Sequence, residues 1–161
     1  AHYEHIMFDF DQLESLPESG SPKFVYAHLV APHFPFVFNP DGSFAYTLNN
    51  LPGYTNETEY VDNRLLQVLR QIIDNSETPP VIILQSDHGL NFDVRNAILN
   101  AYYLPGGGEE IYSTITPVNT FRLVFNRYFG AEYPLLPDVA YYASYQTPFD
   151  FEEVEYPCPA Q

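Results

Sequence analysis

The sequence predicts an α/β fold in which a mostly parallel central sheet is flanked by helices. Two stretches, residues 23–30 and 81–85, are apolar on both faces, which is typical of strands buried inside a parallel sheet. Between them, residues 56–74 repeat apolar side chains at helical spacing. A strand, a helix and a second strand in this order imply a right-handed crossover and a parallel strand pair.

The segments around the first strand are assigned from their periodicity and their prolines. Residues 5–16 predict a short amphipathic helix that precedes the strand at 23–30. Pro32 and Pro35 follow that strand and prevent further ladder pairing, because proline cannot donate a backbone hydrogen bond. Residues 37–54 combine Pro, Gly, Asn and aromatic residues, and they predict a long surface loop.

The helix at residues 56–74 carries the clearest helical signal in the chain. Asn56 is a suitable N-cap, and Glu59 three positions later would complete a capping box. The triplet Asn56-Glu57-Thr58 also fits a glycosylation acceptor, a pattern that is common by chance. The prolines that end Asn75–Pro80 stop the helix before the next strand begins.

A third strand and a second helix follow. Residues 97–104 predict the strand. Thr116 is expected to cap the helix, with Pro117 at its first position and Gly130 just past its end. Residues 131–161 are rich in Pro, Tyr and acidic residues without clear periodicity, and we expect an irregular tail. The core of the fold is therefore predicted to span residues 23–130.

Length and charge set limits on what the chain can do. Its 161 residues suit a single α/β domain or part of one, and 6 basic against 21 acidic side chains give a net charge of −15. The basic residues are scattered, so nucleic-acid binding is excluded, and an anionic membrane surface would repel the chain. No apolar run is long enough to insert into a bilayer.

The two ends of the sequence carry little further signal. The first residues lack the features of a signal peptide and an initiator Met, so we expect a piece of a longer protein. Cys158 is the single cysteine and cannot form an intrachain disulfide, which leaves the redox compartment open.

The stretch with the strongest chemical signal is the end of the second buried strand, Ser86-Asp87-His88-Gly89. In open α/β sheets, ligands bind beyond the carboxyl ends of the strands, where Asp87 and His88 would lie. Carboxylate oxygen and imidazole nitrogen are both ligands for zinc or manganese. Gly89 permits the sharp turn that two adjacent ligands need in order to share one metal ion.

A second candidate follows the first buried strand. His33 lies between Pro32 and Pro35, whose rings stiffen the backbone that carries it. If both strands belong to one parallel sheet, His33, Asp87 and His88 emerge at the same edge. One carboxylate and two imidazoles at one edge suit metal-assisted ester hydrolysis.

Simpler interpretations of these residues remain open. A strand-terminal Asp often forms a turn or caps a helix, and His33 could be a loop residue packed among phenylalanines. The 14 Tyr and 13 Phe also suit a non-catalytic, acidic and aromatic-rich module that binds carbohydrate or protein.

The order of the motifs resembles the C-terminal part of the catalytic domain in the sulfatase and alkaline-phosphatase-like superfamily. The segments that carry the resemblance are KFVYAHLVAPHFPF, YVDNRLLQVLRQI, PPVIILQSDHG, ILNAYYLPG and STITPVNTFRLVFNRYFG. The likeness runs from about Lys23 to Gly130. It is nearest to membrane-anchored sulfatase-like hydrolases and to phosphoglycerol or phosphoethanolamine transferases.

The resemblance implies an alkaline-phosphatase-like fold and a divalent-metal site, for zinc, manganese or calcium, that cleaves or transfers sulfate or phosphate esters. Asp87 and His88 match the family's metal ligands, and His33 matches a histidine that contacts the anionic group of the substrate. The resemblance places the family's nucleophile, a Thr, Ser or modified Cys, in the N-terminal half of the domain. No Cys-x-Pro/Ser-x-Arg motif occurs here, and no early strand ending in Asp precedes residue 23.

We therefore expect a fragment that is inactive alone. The resemblance also implies an extracytoplasmic domain, with the membrane anchor outside this chain. A partial sheet would leave an apolar edge exposed, which makes a homodimer possible.

Overall fold

The computed structural model describes residues 1–20, 22–48, 50–90 and 95–154. The chain divides into two compact units, Ala1–Pro80 and Val81–Gln161. The architecture is mixed α/β, as predicted. Cys158 and Glu155, the last acidic residue of the tail, lie outside the described residues. The helices are α1 (His2–Glu14), α2 (Leu51–Asn75) and α3 (Pro117–Phe129), with a short 3-10 turn at Leu16–Glu18.

The first unit packs α1 and α2 against a short hairpin. Strands β1 (Phe36–Phe38) and β2 (Phe44–Thr47) pair antiparallel, so the region expected to be a loop contains a hairpin. All three residues of β1 are buried because both helices cover it. Arg64 on α2 joins the two helices by ion pairs with Glu14 and Asp11 of α1. The core consists of Ile6, Phe10, Val37, Phe38, Val61 and Val68.

Helix α2 begins five residues before its predicted start. The N-cap is Asn50, whose Oδ1 accepts a hydrogen bond from the Gly53 backbone N–H at 2.8 Å, and Asn56 lies inside the helix. Pro52 is compatible with the first turn, since the N–H it lacks would have no helical partner there. The prediction of Asn56 as N-cap is therefore wrong.

The expected buried strand at residues 23–30 is also wrong. The segment forms no strand, and the side chains of Phe24 and Tyr26 are each 79% exposed. The buried strand of this unit is β1, which comes after the prolines. The prolines therefore precede a strand, β1, and do not follow one. In that position they remove no hydrogen bond from the strand pairing.

The second unit contains the two other predicted strands, which pair with each other. Strands β3 (Ile82–Gln85) and β4 (Asn100–Tyr103) pair antiparallel, with Gln85 opposite Asn100. The strand pairs of the described residues are all antiparallel, so the predicted parallel central sheet is not among them. The two strands are separated by 14 residues in the sequence, which is enough to join antiparallel neighbours.

Helix α3 has the predicted bounds. Thr116 is the N-cap, Pro117 begins the helix, and Gly130 ends it in the left-handed region at φ 66°. The Thr116 hydroxyl does not cap the helix, because it donates to Asp138 in the following segment. The tail also has structure, since β5 (Ala140–Tyr142) and β6 (Glu152–Val154) form an antiparallel hairpin. Among the residues described, no helix has the length and apolar character needed to cross a bilayer.

Candidate functional site

Asp87 and His88 lie directly after β3, at the mouth of the loop that leads to β4. The Ser86 backbone N–H donates to the Leu99 carbonyl at 3.0 Å, and the Leu99 N–H donates to Ser86 Oγ at 2.9 Å. The Gly89 N–H donates to the Arg95 carbonyl at 2.7 Å. These hydrogen bonds fix the backbone on either side of Asp87 and His88, the two candidate ligands.

The ring of His88 is oriented by its own backbone. Its Nδ1 lies 2.7 Å from the Gly89 carbonyl oxygen, which can only accept a hydrogen bond, so Nδ1 carries a proton. In the neutral ring, Nε2 then keeps its lone pair, which is the form that binds a metal ion. A ring nitrogen held by a carbonyl is the usual arrangement of metal-binding histidines.

The Asp87 carboxylate is turned toward the same ring. Its Oδ1 accepts the His88 backbone N–H at 2.9 Å, and its Oδ2 lies 3.7 Å from His88 Nε2. Two ligands of a tetrahedral zinc ion are separated by about 3.4 Å, so this spacing is close to what one shared ion requires. Both side chains are accessible, with 80% of the Asp87 and 41% of the His88 side chain exposed.

A catalytic zinc site has three or more protein ligands, so Asp87 and His88 alone would not complete one. Within the described ranges, no group of three or more His, Cys, Asp or Glu side chains is arranged to hold a metal ion. The structure therefore brings together the adjacent pair that the sequence singles out, and this pair makes a partial ligand set.

His33 belongs to the first unit, in the loop that enters β1. Its backbone N–H donates to Glu57 Oε1 at 3.1 Å, and the Val37 N–H donates to Glu57 Oε2 at 2.6 Å. Glu57, on α2, is completely buried. One buried carboxylate thus ties both ends of the Pro-His-Phe-Pro loop to α2.

The exposed ring of His33 repeats the arrangement of His88. Its Nδ1 lies 2.7 Å from the Phe34 carbonyl oxygen, and its ring stacks on that of Phe34 with centroids 4.9 Å apart. Nδ1 is again the protonated nitrogen, so Nε2 is the atom presented to solvent. When the ring is charged, Nε2–H is a hydrogen-bond donor suited to an anionic oxygen.

Glu57 was missed by the sequence analysis, which placed it in a possible glycosylation acceptor. The signal was available: Glu57, Val61 and Val68 fall on one face of a helix, and the two valines are buried. A carboxylate on the apolar face of a helix needs hydrogen-bond donors to compensate its burial. Those donors are the N–H groups of the loop that carries His33.

Asp138 is a second missed carboxylate, in the segment expected to be irregular. Its Oδ1 accepts hydrogen bonds from the Thr116 N–H and hydroxyl, both at 2.7 Å, and from Asn119 Nδ2 at 3.1 Å. Its Oδ2 accepts one from the Tyr112 hydroxyl. Burial tends to raise the pKa of Asp138, but the hydrogen bonds from Tyr112, Thr116 and Asn119 outweigh it and hold the pKa below its usual value.

The second unit also contains a cavity of about 360 Å³ beside β4. Its walls are three isoleucines, Tyr102, Tyr112, Ser113 and Asn100. Asn100 Oδ1 is buried and has no hydrogen-bond partner among the described residues. None of the described residues that line the cavity is charged, so this lining suits a neutral group better than a sulfate or phosphate.

Comparison with known proteins gives one match. A protein-family model described as Sulfatase matches residues 3–122, which includes His33, Asp87 and His88. No curated protein and no solved structure matches the chain. The matched range covers about three quarters of the sequence and ends within α3, before the β5–β6 hairpin.

Proposed function

The chain belongs to the sulfatase family, and from that premise we propose that it contributes metal and anion binding to a hydrolase or transferase of sulfuric or phosphoric esters. The family acts on sulfate esters and generally uses a divalent metal ion. The observation that carries the proposal is the pair Asp87 Oδ2 and His88 Nε2, 3.7 Å apart at the end of β3.

In this proposal Asp87 and His88 hold the divalent metal ion. The lone pair of His88 Nε2 is available because Nδ1 is occupied by the Gly89 carbonyl. The Asp87 carboxylate supplies negative charge at the same point, which suits a hard or borderline cation. The metal ion, when bound, polarises the ester oxygen and offsets the negative charge of the group being transferred.

His33 acts on the anionic group of the ester. Its Nε2 points away from its own backbone partner, so a protonated ring can donate to a sulfate or phosphate oxygen as charge develops there. Glu57 fixes the loop backbone, which limits where this donor can lie. The strand pairs of the described residues do not include the shared parallel sheet from which the same-edge placement of His33, Asp87 and His88 was expected.

The nucleophile comes from outside these residues in the same proposal, because the sequence has no Cys-x-Pro/Ser-x-Arg motif. Two ligands also leave a catalytic metal shell incomplete. We therefore expect the chain alone not to hydrolyse nitrophenyl sulfate or nitrophenyl phosphate. Turnover of either ester that disappears in Asp87→Ala would contradict this part of the proposal.

Metal binding itself is tested by thermal unfolding with zinc or manganese. Millimolar metal is expected to raise the melting temperature of the wild-type chain, because an ion that binds only the folded state stabilises it. Asp87→Asn should abolish the increase. Asp74→Asn removes the same charge from an exposed position of α2 and is the matched control, which should keep it. A wild-type melting temperature that neither metal raises would refute the proposed site.

A further inference from the structure

The β5–β6 hairpin lies beyond the matched family range, so the proposed activity assigns it no role. Its register pairs Tyr141 with Glu153 and Tyr142 with Glu152. Directly opposed residues of an antiparallel pair share a face, and successive residues alternate between faces. Tyr141 and Glu153 therefore lie on one face, and Tyr142 and Glu152 lie on the other.

The face of Tyr141 and Glu153 carries an additional aromatic ring. Phe151 is two residues before Glu153, and its ring meets that of Tyr141 edge to face with centroids 6.5 Å apart. Tyr141 is 58% exposed, Phe151 is 64% exposed, and Glu153 is also exposed. Two rings that contact each other while both remain open to solvent form a small apolar platform next to a carboxylate. We call these three residues the outer face of the hairpin.

The opposite face differs in what surrounds it. Ala140 and Val154 accompany Tyr142 and Glu152 there, and both small residues are partly buried. It has the same tyrosine and glutamate pair, and no second aromatic ring joins them among the residues that the structure describes. Within the described hairpin, the aromatic pair therefore distinguishes the side of Tyr141 from the side of Tyr142.

The negative charge around the hairpin favours a positively charged partner. No Lys, Arg or His follows Arg127 in the sequence, whereas acidic residues recur throughout that region. The same hairpin of a second copy would bring further acidic residues and no basic ones to this face. An arginine guanidinium can stack on an aromatic ring and pair with a carboxylate at the same time, and the outer face offers both groups side by side.

We infer that the outer face of the hairpin, formed by Tyr141, Phe151 and Glu153, binds an arginine-containing basic segment of a protein partner. The guanidinium lies over the aromatic pair, and Glu153 accepts its hydrogen bonds. This function is independent of the ester chemistry proposed above, because none of the three residues belongs to the matched family range.

The test uses the full chain and a fluorescently labelled dodecapeptide of alternating Arg and Gly, followed by fluorescence anisotropy. The double variant Tyr141→Ala/Glu153→Gln is expected to weaken binding at least about fivefold, because it removes both the stacking surface and the carboxylate. The control is Tyr142→Ala/Glu152→Gln on the opposite face. It makes the same changes in composition and net charge, and it should bind nearly as the wild type does.

The two variants separate a defined site from general attraction of a basic peptide to an acidic chain. Equal weakening by both would overturn the inference, since only net charge would then matter. Binding of a neutral glucose hexasaccharide, without binding of the peptide, would overturn it in favour of a sugar-binding surface.

A variant could weaken binding by distorting the hairpin, so a second measurement uses the wild-type chain. Peptide titration monitored by amide NMR should shift the signals of Tyr141, Phe151 and Glu153 more than those of Tyr142 and Glu152. Shifts spread evenly over both strands, or confined to another part of the chain, would contradict the inference.

Discussion

Two carboxylates, Glu57 and Asp138, each connect segments that are distant in sequence through several hydrogen bonds. Glu57 is completely buried and accepts backbone hydrogen bonds from His33 and Val37, so one side chain joins α2 to the loop before β1. Asp138 has the equivalent role in the second unit, where it joins the tail to the start of α3. Each compensates its burial with several donors, as buried charges must.

Replacing Glu57 by Ala should lower the free energy of unfolding by about 3 kcal/mol. The change leaves two buried or partly buried N–H groups without acceptors, and each such loss is costly. Glu57→Gln keeps one acceptor oxygen and should have a smaller effect. Urea denaturation measures both changes.

The matched control for Glu57 is Glu59→Gln, an exposed position two residues further along α2. It should change the unfolding free energy by less than about 0.5 kcal/mol, as surface substitutions usually do. A Glu57→Ala chain as stable as the Glu59 variant would show that the buried carboxylate is dispensable.

The lowered pKa of Asp138 predicts a pH-dependent contribution to stability. A carboxyl group whose pKa is lower in the folded than in the unfolded state stabilises the fold when it is ionised. The full stabilisation is present above the unfolded pKa, close to the usual 3.8. It is lost as the pH falls through the pKa of the folded state. Asp138→Asn should therefore destabilise the chain clearly at neutral pH, and the difference from wild type should shrink below about pH 4.

Urea unfolding of the Asp138→Asn and wild-type chains at neutral and acidic pH checks this. Glu109→Gln, at an exposed position in the same unit, corrects for the general loss of carboxylate charge. A stability difference that is constant across the pH range would mean that the carboxylate of Asp138 matters by its shape and not by its charge.

Among the helices and strands, those specified by their own sequence were the ones predicted correctly. Helix α3 has an N-cap residue, Pro117 and Gly130 at its ends, and all three signals are local. The start of α2 was missed, because Pro52 and Gly53 usually indicate a loop.

Strand direction and burial depend on contacts distant in sequence. Residues 23–30 have the composition of a buried strand, yet nothing in their own sequence specifies a partner. The structure leaves all of them exposed except Leu29, which is partly buried. The antiparallel pairing of β3 with β4, from Ile82–Tyr103 to Gln85–Asn100, is a contact between segments that periodicity does not reveal. For the site, the sequence located the adjacent pair Asp87 and His88 but not the buried Glu57 behind His33.

Gly53 in α2 is expected to resist substitution even though alanine favours helices. An added Cβ would lie 2.7 Å from Phe36 Cδ2 and 2.9 Å from Thr47 Cγ2, so the helix would be pushed off the β1–β2 hairpin. Gly53→Ala should reduce the unfolding free energy by about 1–3 kcal/mol in urea denaturation. Gly20→Ala is the control, since nothing lies within 4 Å of its Cβ position, and it should be close to neutral. Equal stability of the two variants would contradict the close approach.

At the scale of the whole molecule, the net charge of −15 opposes compact states through self-repulsion. Raising NaCl from about 10 mM to about 300 mM should therefore increase the melting temperature, by roughly 2–4 °C for each kcal/mol of repulsion screened. Differential scanning calorimetry measures this increase.

The salt effect should become smaller near pH 4, where many carboxylates are protonated. That comparison separates charge screening from other effects of the salt. A melting temperature that falls with added NaCl at neutral pH would show that the ion pairs of Arg64 and Arg127 outweigh the repulsion among the acidic residues.

The division of the chain at Pro80 has a consequence for how the protein is made. The core of the first unit comes entirely from α1, β1 and α2, so every residue it needs has been synthesised once Asn75 is added. A ribosome adding about 5–20 residues per second then takes roughly 1–3 s more to add Asp87 and His88. The loop that carries His33 can therefore be in place on the nascent chain before Asp87 and His88 have emerged.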